Sequence, residues 1–296
     1  MGTSSLFRAL DSGVSPLPVQ TDAAWERSVQ CAIALTRHYY PNGDASKHMT
    51  LIGSLAKDTA IRPLADVDLV YALPVGTQQR VEAMSGNGQS VLLQEVRRVL
   101  LGRFPRTEIR GDGPVVVVEF SSGVSVEVVP AVAVTDRSVF RARCLVPVTR
   151  GGGSWELADY GAQWDAVKRL DARRDGQYSR LIRYMKAWRR TKAAVLKSVV
   201  LELMALDFFR TWDSEGKKAT HVYDDWLVRD FLGYMVDHQD RTYRLPGVIK
   251  ELSTGYGWRI DAKESFDDAT RACLFGDESP SYVINWRKVL GGGFGS

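Results

Sequence analysis

Three carboxylates on strand-like segments have the types and spacing to act together. Asp66 and Asp68 lie two residues apart in the β-branched run DVDLVYALP, so on a strand both side chains point from one face. Two carboxylates held so close repel each other, and a divalent cation between them makes the pair favourable. Two such ions about 4 Å apart would hold the attacking and leaving oxygens of a phosphoryl-type displacement. Glu127, in the strand-like run VSVEVVP, is the candidate for the third carboxylate that the second ion needs.

A phosphate-binding turn is the other half of the pattern. Gly53 and Ser54 precede Asp66, with eleven residues between Ser54 and Asp66. Glycine lets the backbone approach a triphosphate, and the serine hydroxyl and main-chain N–H groups can bond its oxygens. A solvated strand face would explain Asp66 and Asp68 alone, and a salt bridge would explain Glu127 alone. Their joint occurrence in this order favours a phosphoryl-transfer site.

The composition is that of an ordinary globular protein. The chain has 296 residues, of which 45% are hydrophobic and 25% charged, and this excludes intrinsic disorder and a coiled coil. The net charge of +4 suits a phosphate-bearing ligand but is too small for a protein that coats a nucleic-acid duplex. No apolar stretch is long enough to span a bilayer, and three cysteines without a pairing pattern indicate a reducing compartment. We therefore expect a cytoplasmic protein without a membrane partner.

The elements that must position these residues form an α/β unit followed by helices. Apolar periodicity predicts helices over 21–40 and 90–101, and two β-rich runs around Ser121 to Gly123 predict a hairpin. Beyond Arg150 the pattern is mostly helical, so the predicted fold class is α+β, with a mixed sheet and a C-terminal helical domain in two lobes. The predicted organisation is a flexible N-terminal tail at 1–20, a core with an N-terminal helix at 21–150, a helical domain closing the active-site cleft at 151–290 and a flexible glycine-rich tail at 291–296.

The stretch GSLAKDTAIRPLADVDLVY resembles the signature of the polymerase-β-like nucleotidyltransferases, a Gly-Ser pair followed by Asp-x-Asp and a distal acid. Asp58 replaces a usual glycine and Ala65 a frequent serine, and both departures lie in the loop. VEVVPA is similar to the acid-x-x-Pro-Ala segment of the branch that contains cyclic GMP-AMP synthase, oligoadenylate synthetase and bacterial CD-NTases. RLIRYMKAW and KSVVLELM resemble the lysine-bearing and serine-bearing helices of that branch. The resemblance covers Thr21 to Phe209 and implies a polymerase-β-like nucleotidyltransferase core.

The resemblance also implies roles for individual positions. Asp66, Asp68 and Glu127 would be catalytic and would bind two Mg²⁺ or Mn²⁺ ions, although the branch usually has aspartate where this chain has Glu127. The residues that would hold the triphosphate of the donor nucleotide are Gly53, Ser54, Lys186 and Ser198. Where some members have a base-stacking tyrosine after the serine, this chain has Val199. The resemblance therefore says least about how this chain recognises a base.

A helical stripe of basic residues surrounds Lys186. Arg183, Lys186 and Arg190 share one face of the predicted helix, opposite an apolar stripe that includes Trp188. This basic stripe either faces the phosphates or is a solvated surface. Trp164, like Trp188, is expected to pack in a core or between domains rather than against a ligand.

The activity implied by the resemblance is synthesis of a cyclic di- or trinucleotide second messenger from ATP, with or without another nucleoside triphosphate. An effector protein would sense the product in antiviral (CBASS) defence. The alternatives are a template-independent nucleotidyltransferase that makes a linear oligonucleotide or extends an RNA 3′ end, an antibiotic nucleotidyltransferase, and a pseudo-enzyme that only binds. The intact acids argue against the pseudo-enzyme, and the modest net charge argues against a polynucleotide groove.

Two further expectations concern partners. The four histidines have no metal-ligand spacing, so the zinc ribbon through which animal cyclic GMP-AMP synthase senses DNA is absent, and we expect no activation by DNA. The terminal GGGFGS is either a frayed end or a target for a ubiquitin-transfer-like operon enzyme, which in some bacteria conjugates the C-terminus of a CD-NTase.

Overall fold

The computed structural model describes residues 2–121, 123–134, 143–212 and 221–295, and it shows two lobes. Met1, Ser122 and Ser296, which belong to the predicted tails and turn, lie outside these ranges. The helices are α1 (Thr3–Val14), α2 (Pro18–Tyr39), α3 (Gly53–Ala56), α4 (Thr77–Glu82), α5 (Gly88–Arg103), α6 (Tyr160–Arg173), α7 (Gln177–Lys192), α8 (Ser198–Thr211), α9 (Asp224–Asp237), α10 (Arg259–Phe275) and α11 (Pro280–Leu290). The strands are β1 (Met49–Ile52), β2 (Asp66–Ala72), β3 (Glu108–Asp112), β4 (Val115–Glu119), β5 (Ser125–Ala133), β6 (Cys144–Val148), β7 (Ser154–Ala158), β8 (Thr242–Arg244) and β9 (Glu251–Ser253).

A mixed sheet forms the first lobe. Its strands follow the order β1-β2-β5-β4-β3, with β6 paired to the end of β5 and β7 paired to β6. β2 and β5 run parallel, whereas β4 and β5 are antiparallel, as the predicted hairpin requires. The α+β fold class with a mixed sheet and a helical second lobe is therefore confirmed.

Alternation along β2 and β5 decides which way the candidate carboxylates face. Val67, Leu69 and Tyr71 pack with α2 and α5 in one core, while Val70 and Val129 belong to the opposite face of the sheet. Because side chains alternate across a strand, Asp66 and Asp68 share the face of Val70. Burial of the odd-numbered residues of β2 thus turns both aspartates away from α2 and α5.

The helical lobe has its own core, and it includes the N-terminus. The prediction of a flexible tail at 1–20 was wrong, because α1 buries Leu6, Phe7 and Leu10. The ring of Phe7 lies 5.5 Å from that of Tyr184 and 5.2 Å from that of Trp286. Three apolar side chains on one face of a short helix supply enough buried area to dock it.

The glycine-rich C-terminus is docked as well, so the prediction of a flexible tail at 291–296 was wrong for its described residues. Phe294 is fully buried beside Phe7 and Trp286. Arg287 donates to the carbonyl oxygens of Phe294 at 2.8 Å and of Gly295 at 3.1 Å. A single large aromatic side chain outweighs the freedom of the surrounding glycines.

Replacing Phe294 by alanine should lower the free energy of unfolding by about 3–5 kcal/mol, the usual cost of deleting a buried phenylalanine side chain. Phe275→Ala is the matched control, because Phe275 is 56% exposed and its removal should cost only about 0.5 kcal/mol. Urea and thermal unfolding of the two variants and the parent measure this. Equal stability of the two variants would contradict a docked tail.

The boundary between the sheet lobe and the helical lobe lies later in the chain than the predicted residue 150. Glycines 151–153 belong to a turn between β6 and β7, and β7 extends the sheet to Ala158, which pairs with Cys144. Apart from α1, the helices of the second lobe accordingly begin at α6. In the part of the chain that the structure describes, no helix has the length and apolarity needed to cross a lipid bilayer.

Candidate active site

The three candidate carboxylates lie side by side on β2 and β5. The parallel register places Asp68 opposite Glu127 and Asp66 opposite Ser125. Burial, followed by the charge of Asp66, raises the pKa of Asp68 to about 6. Burial, followed by the charges of Asp68 and Asp66, raises the pKa of Glu127 to about 7. The three acids therefore behave as one mutually repelling group.

The chemistry of these donors fits a magnesium or manganese site. All three are carboxylates, the hard oxygen ligands that Mg²⁺ and Mn²⁺ prefer, and a divalent cation would offset their repulsion. Within the described ranges, no three His, Cys, Asp or Glu side chains already surround one point as a finished ligand set.

A strand-to-helix turn brings the Gly-Ser pair against the carboxylates. β1 ends at Ile52, and α3 begins at Gly53, whose φ is +68°. Glycine adopts this left-handed conformation without strain. A Cβ atom at Gly53 would also overlap Oδ2 of Asp68. Both the backbone conformation and the close approach thus require glycine, with Ser54 next to it.

Two adjoining cavities make up the cleft between the lobes. The first has a volume of about 520 Å³ and is lined by six of the predicted site residues, namely Gly53, Ser54, Asp66, Asp68, Lys186 and Ser198. The seventh, Glu127, lies beside Asp68 in the sheet. The second cavity, of about 630 Å³, shares Gly53 and Asp68 with the first and continues over apolar side chains and two aromatic rings. The fold therefore brings six of the predicted residues to one cleft and places Glu127 next to Asp68 in the sheet.

A family comparison agrees with this geometry. Residues 1–168, more than half of the chain, match the model of the Second Messenger Oligonucleotide or Dinucleotide Synthetase (SMODS) domain. The chain belongs to the SMODS family. It is thus a nucleotidyltransferase of the bacterial CD-NTase type, whose members produce cyclic nucleotides.

Relatives of this SMODS chain match it along most of their length. A probable cyclic nucleotide synthase of Bacillus cereus strain VD146 is 22% identical in an alignment of 293 residues. The match includes 87% of this chain and 85% of the relative. Escherichia coli MS115-1 CdnC, solved with ATP, has a TM-score of 0.71 at 19% identity and covers 100% of this chain and 99% of its own. The Vibrio cholerae cyclic AMP-GMP synthase DncV, solved with the linear intermediate 5′ pppA(3′,5′)pG, has a TM-score of 0.69 at 11% identity, with 99% and 87% covered. The two solved structures show a shared two-lobed fold.

The basic stripe of α7 binds the backbone of the loop that follows α3. Arg183 and Lys186 are buried, so the alternative of a solvated surface was wrong for both. Four side chains of α7 donate to loop carbonyls, namely Ser179 to Lys57, Arg183 to Asp58, Lys186 to Thr59 and Arg190 to Arg62. Because this loop continues from Gly53 and Ser54, α7 of the SMODS chain holds the Gly-Ser turn in place.

The side of the cleft that contains Ser54 also contains charged residues that sequence reasoning missed. Lys57, Arg189 and Glu202 line the same cavity as Ser54. Arg189 donates to Oγ of Ser198 at 2.7 Å. Spacing could have pointed to two of them, because Glu202 lies one helical turn after Ser198 and Lys57 lies three residues after Ser54.

The apolar side of the cleft contains two aromatic residues from α6. Tyr160 and Trp164 line the larger cavity, and Trp164 is 41% exposed, with its Nε1 donating to the carbonyl of Ala56 at 3.3 Å. Trp164 does not lie in a core, but its bond to Ala56 of the first lobe agrees with the expected packing between domains, and α6 also presents part of the ring to the cleft. Trp188 is fully buried in the core of the helical lobe, as expected.

Proposed function

We propose that this chain makes a cyclic di- or trinucleotide from ATP, alone or with a second nucleoside triphosphate, by two-metal nucleotidyl transfer. The observation that carries the proposal is the single cavity in which Ser54, Lys186 and Ser198 face Asp66 and Asp68. Serine and lysine donors suit a triphosphate, and paired carboxylates suit the divalent cations that accompany it.

Each group has a role in the proposed reaction. Ser54 and Lys186 would bind the donor phosphates, and Asp66, Asp68 and Glu127 would hold two Mg²⁺ or Mn²⁺ ions. When bound, the ions supply positive charge to the attacking and leaving oxygens. Glu127 would help remove the proton from the 2′- or 3′-hydroxyl of the acceptor, whose oxygen attacks the α-phosphorus while pyrophosphate leaves.

The two adjoining cavities support a site for two nucleotides. The smaller one collects the phosphate-binding side chains, and the larger one offers Tyr160 and Trp164 beside apolar walls, as a nucleobase requires. Both reach Asp68, so a donor and an acceptor could meet there. The linear intermediate described for DncV fits a reaction that forms one bond and then closes the ring.

The product of the purified protein tests the proposal. Labelled ATP, GTP, CTP and UTP are incubated with the protein in Mg²⁺ or Mn²⁺, treated with phosphatase and resolved by chromatography and mass spectrometry. A phosphatase-resistant cyclic product that is lost in Asp66→Ala/Asp68→Ala is the expected result. A phosphatase-sensitive ladder would instead support the linear polymerase, and no product with any mixture would contradict an enzyme that is active alone.

Affinity for metal should rise with pH between about 6 and 8. A carboxyl group must lose its proton to bind a metal, and the pKa values of Asp68 and Glu127 are raised to about 6 and about 7. At pH 6 most of Glu127 is protonated, so we expect Mn²⁺ to bind about tenfold more weakly than at pH 8. Titration of nucleotide-free protein with Mn²⁺, followed by electron paramagnetic resonance, measures this. An affinity that is equal at both pH values would contradict the assignment.

The wider role is proposed from the resemblance and from two structural observations. All three cysteines are free, which supports a reducing cytoplasm. A downstream effector protein would sense the product in antiviral defence. Conjugation of the C-terminus by a ubiquitin-transfer-like enzyme would first require Phe294 to leave the core of the helical lobe, because its ring is buried there.

A further inference from the structure

A buried glutamate joins two lysines where the lobes meet. Glu202 of α8 is 6% exposed, and its Oε2 lies 2.8 Å from Nζ of Lys57 in the other lobe. Its Oε1 lies 3.6 Å from Nζ of Lys186 and accepts a hydrogen bond from Oγ1 of Thr59 at 3.4 Å. A lone buried carboxylate is costly, whereas one shared by two ammonium groups is paired.

The position of this glutamate is unusual for an acid. Lys57, Lys186 and Glu202 all line the cavity that contains Ser54 and Asp68. Glu202 has no part in the proposed chemistry, and its charge would repel a phosphate. A buried anion in a phosphate-binding cavity therefore needs a separate explanation, which its two ion pairs provide.

The charges that face Lys186 indicate what Glu202 does. Burial lowers the pKa of Lys186, the charge of Glu202 raises it, and the charges of Lys57 and Arg189 lower it further. On the side of β2, Asp68 is the acid whose pKa responds to both lysines and to Glu202. Without Glu202, the two largely buried ammonium groups would repel each other, and the pKa of Lys186 would be lower.

We propose that Glu202 is a positioning residue that holds Lys57 and Lys186 side by side across the lobe junction and shares both with the phosphates of the donor nucleotide. This inference rests on the proposed function and deepens it, because it adds Lys57 as a second phosphate-binding lysine. An ammonium group has three donors, so Lys186 can keep its 2.8 Å bond to the carbonyl of Thr59 while it binds a phosphate oxygen.

Binding of inorganic tripolyphosphate, measured by calorimetry without Mg²⁺, tests the proposal independently of turnover. Removal of the Glu202 charge should lower the pKa of Lys186, so affinity should fall more steeply with rising pH in Glu202→Gln than in the parent. We expect binding within about threefold of the parent at pH 6 and at least about tenfold weaker than the parent at pH 9. Titration of the tripolyphosphate itself affects both proteins equally.

Two further variants separate charge from packing. Glu202→Asp keeps the charge and should retain the pH dependence of the parent. Asp268→Asn is the matched control, because Asp268 is 7% exposed and pairs with Arg271 at 2.7 Å and Lys288 at 3.6 Å, outside the residues that line the cleft. It should bind tripolyphosphate as the parent does. A loss in Glu202→Gln that is equal at pH 6 and pH 9, or no loss at either, would overturn the proposal.

A measurement on the parent protein covers the case in which Glu202→Gln does not fold. Calorimetry at pH 8 in two buffers of different ionisation enthalpy gives the protons exchanged on binding. No net uptake supports lysines that are already protonated, and net uptake of a proton would overturn the proposal. A parent protein that binds neither tripolyphosphate nor ATP would refute the proposed function itself. If the parent forms product but tripolyphosphate binding has the same pH dependence in Glu202→Gln as in the parent, only the role of Glu202 is refuted.

Discussion

Replacement of Asp68 by asparagine should slow nucleotidyl transfer by at least about 10³-fold. The metal ions that the site is proposed to hold would stabilise the transition state by several kcal/mol, and each 1.36 kcal/mol corresponds to a tenfold change in rate. Asp68 stands at the centre of the site, opposite Glu127 in the sheet and on the lining of both cavities. Asparagine preserves shape but loses the charge that attracts a divalent cation.

The same substitution should not weaken the fold. Because the pKa of Asp68 is raised to about 6, its ionised form destabilises the folded state above that pH. A neutral side chain should therefore leave the free energy of unfolding at pH 8 equal or higher. Asp22→Asn, at an exposed position on α2, is the control and should change neither rate nor stability. A rate for Asp68→Asn within tenfold of the parent would exclude Asp68 as a metal ligand.

Replacement of Gly53 by alanine should lower the rate by about 10²-fold, since a misplacement of about 1 Å at reacting groups has that effect. The added Cβ would overlap Oδ2 of Asp68, so the carboxylate must move. The positive φ at this position adds a strain of about 1–2 kcal/mol for alanine. We expect a folded protein that binds ATP but transfers nucleotide slowly.

Gly76→Ala is the matched control for this prediction. Gly76 also has a positive φ, of +91°, and also precedes a helix, but a Cβ there would meet no atom within 4 Å. It therefore reports the cost of backbone strain without the overlap. Steady-state rates and thermal unfolding of both variants separate the two effects. Equal rates in Gly53→Ala and Gly76→Ala would show that close approach to Asp68 does not matter.

The order and spacing of the reactive residues were readable from the sequence. Alternation along β2 predicts that Asp66 and Asp68 share a face, and a Gly-Ser pair between a strand and Asp-x-Asp indicates a phosphate turn. The structure shows the shared face and the left-handed backbone of Gly53, because both depend on local geometry, the period of two in a strand and the conformational freedom of glycine. Phosphate binding by this turn stays a prediction. The resemblance then supplied the distal positions Lys186 and Ser198, which no local rule connects to the strand.

Only the tertiary structure decided what the distal charges contact. The sequence places Lys186 on a basic stripe, but the fold directs that stripe to loop carbonyls and to Glu202, to which sequence reasoning assigned no role. Likewise, a tail with four glycines among its last six residues is flexible by composition, yet Phe294 is buried against Phe7, which lies near the other end of the chain.

The physical reason for this difference is the separation along the chain of the residues that determine each property. Strand alternation and the backbone of Gly53 depend on neighbours within a few residues, so the sequence by itself determined the shared face of Asp66 and Asp68 and the turn at Gly53. Burial, ion pairing and the docking of termini depend on groups far apart in the chain, such as Lys57 and Glu202, which meet only when the two lobes pack together.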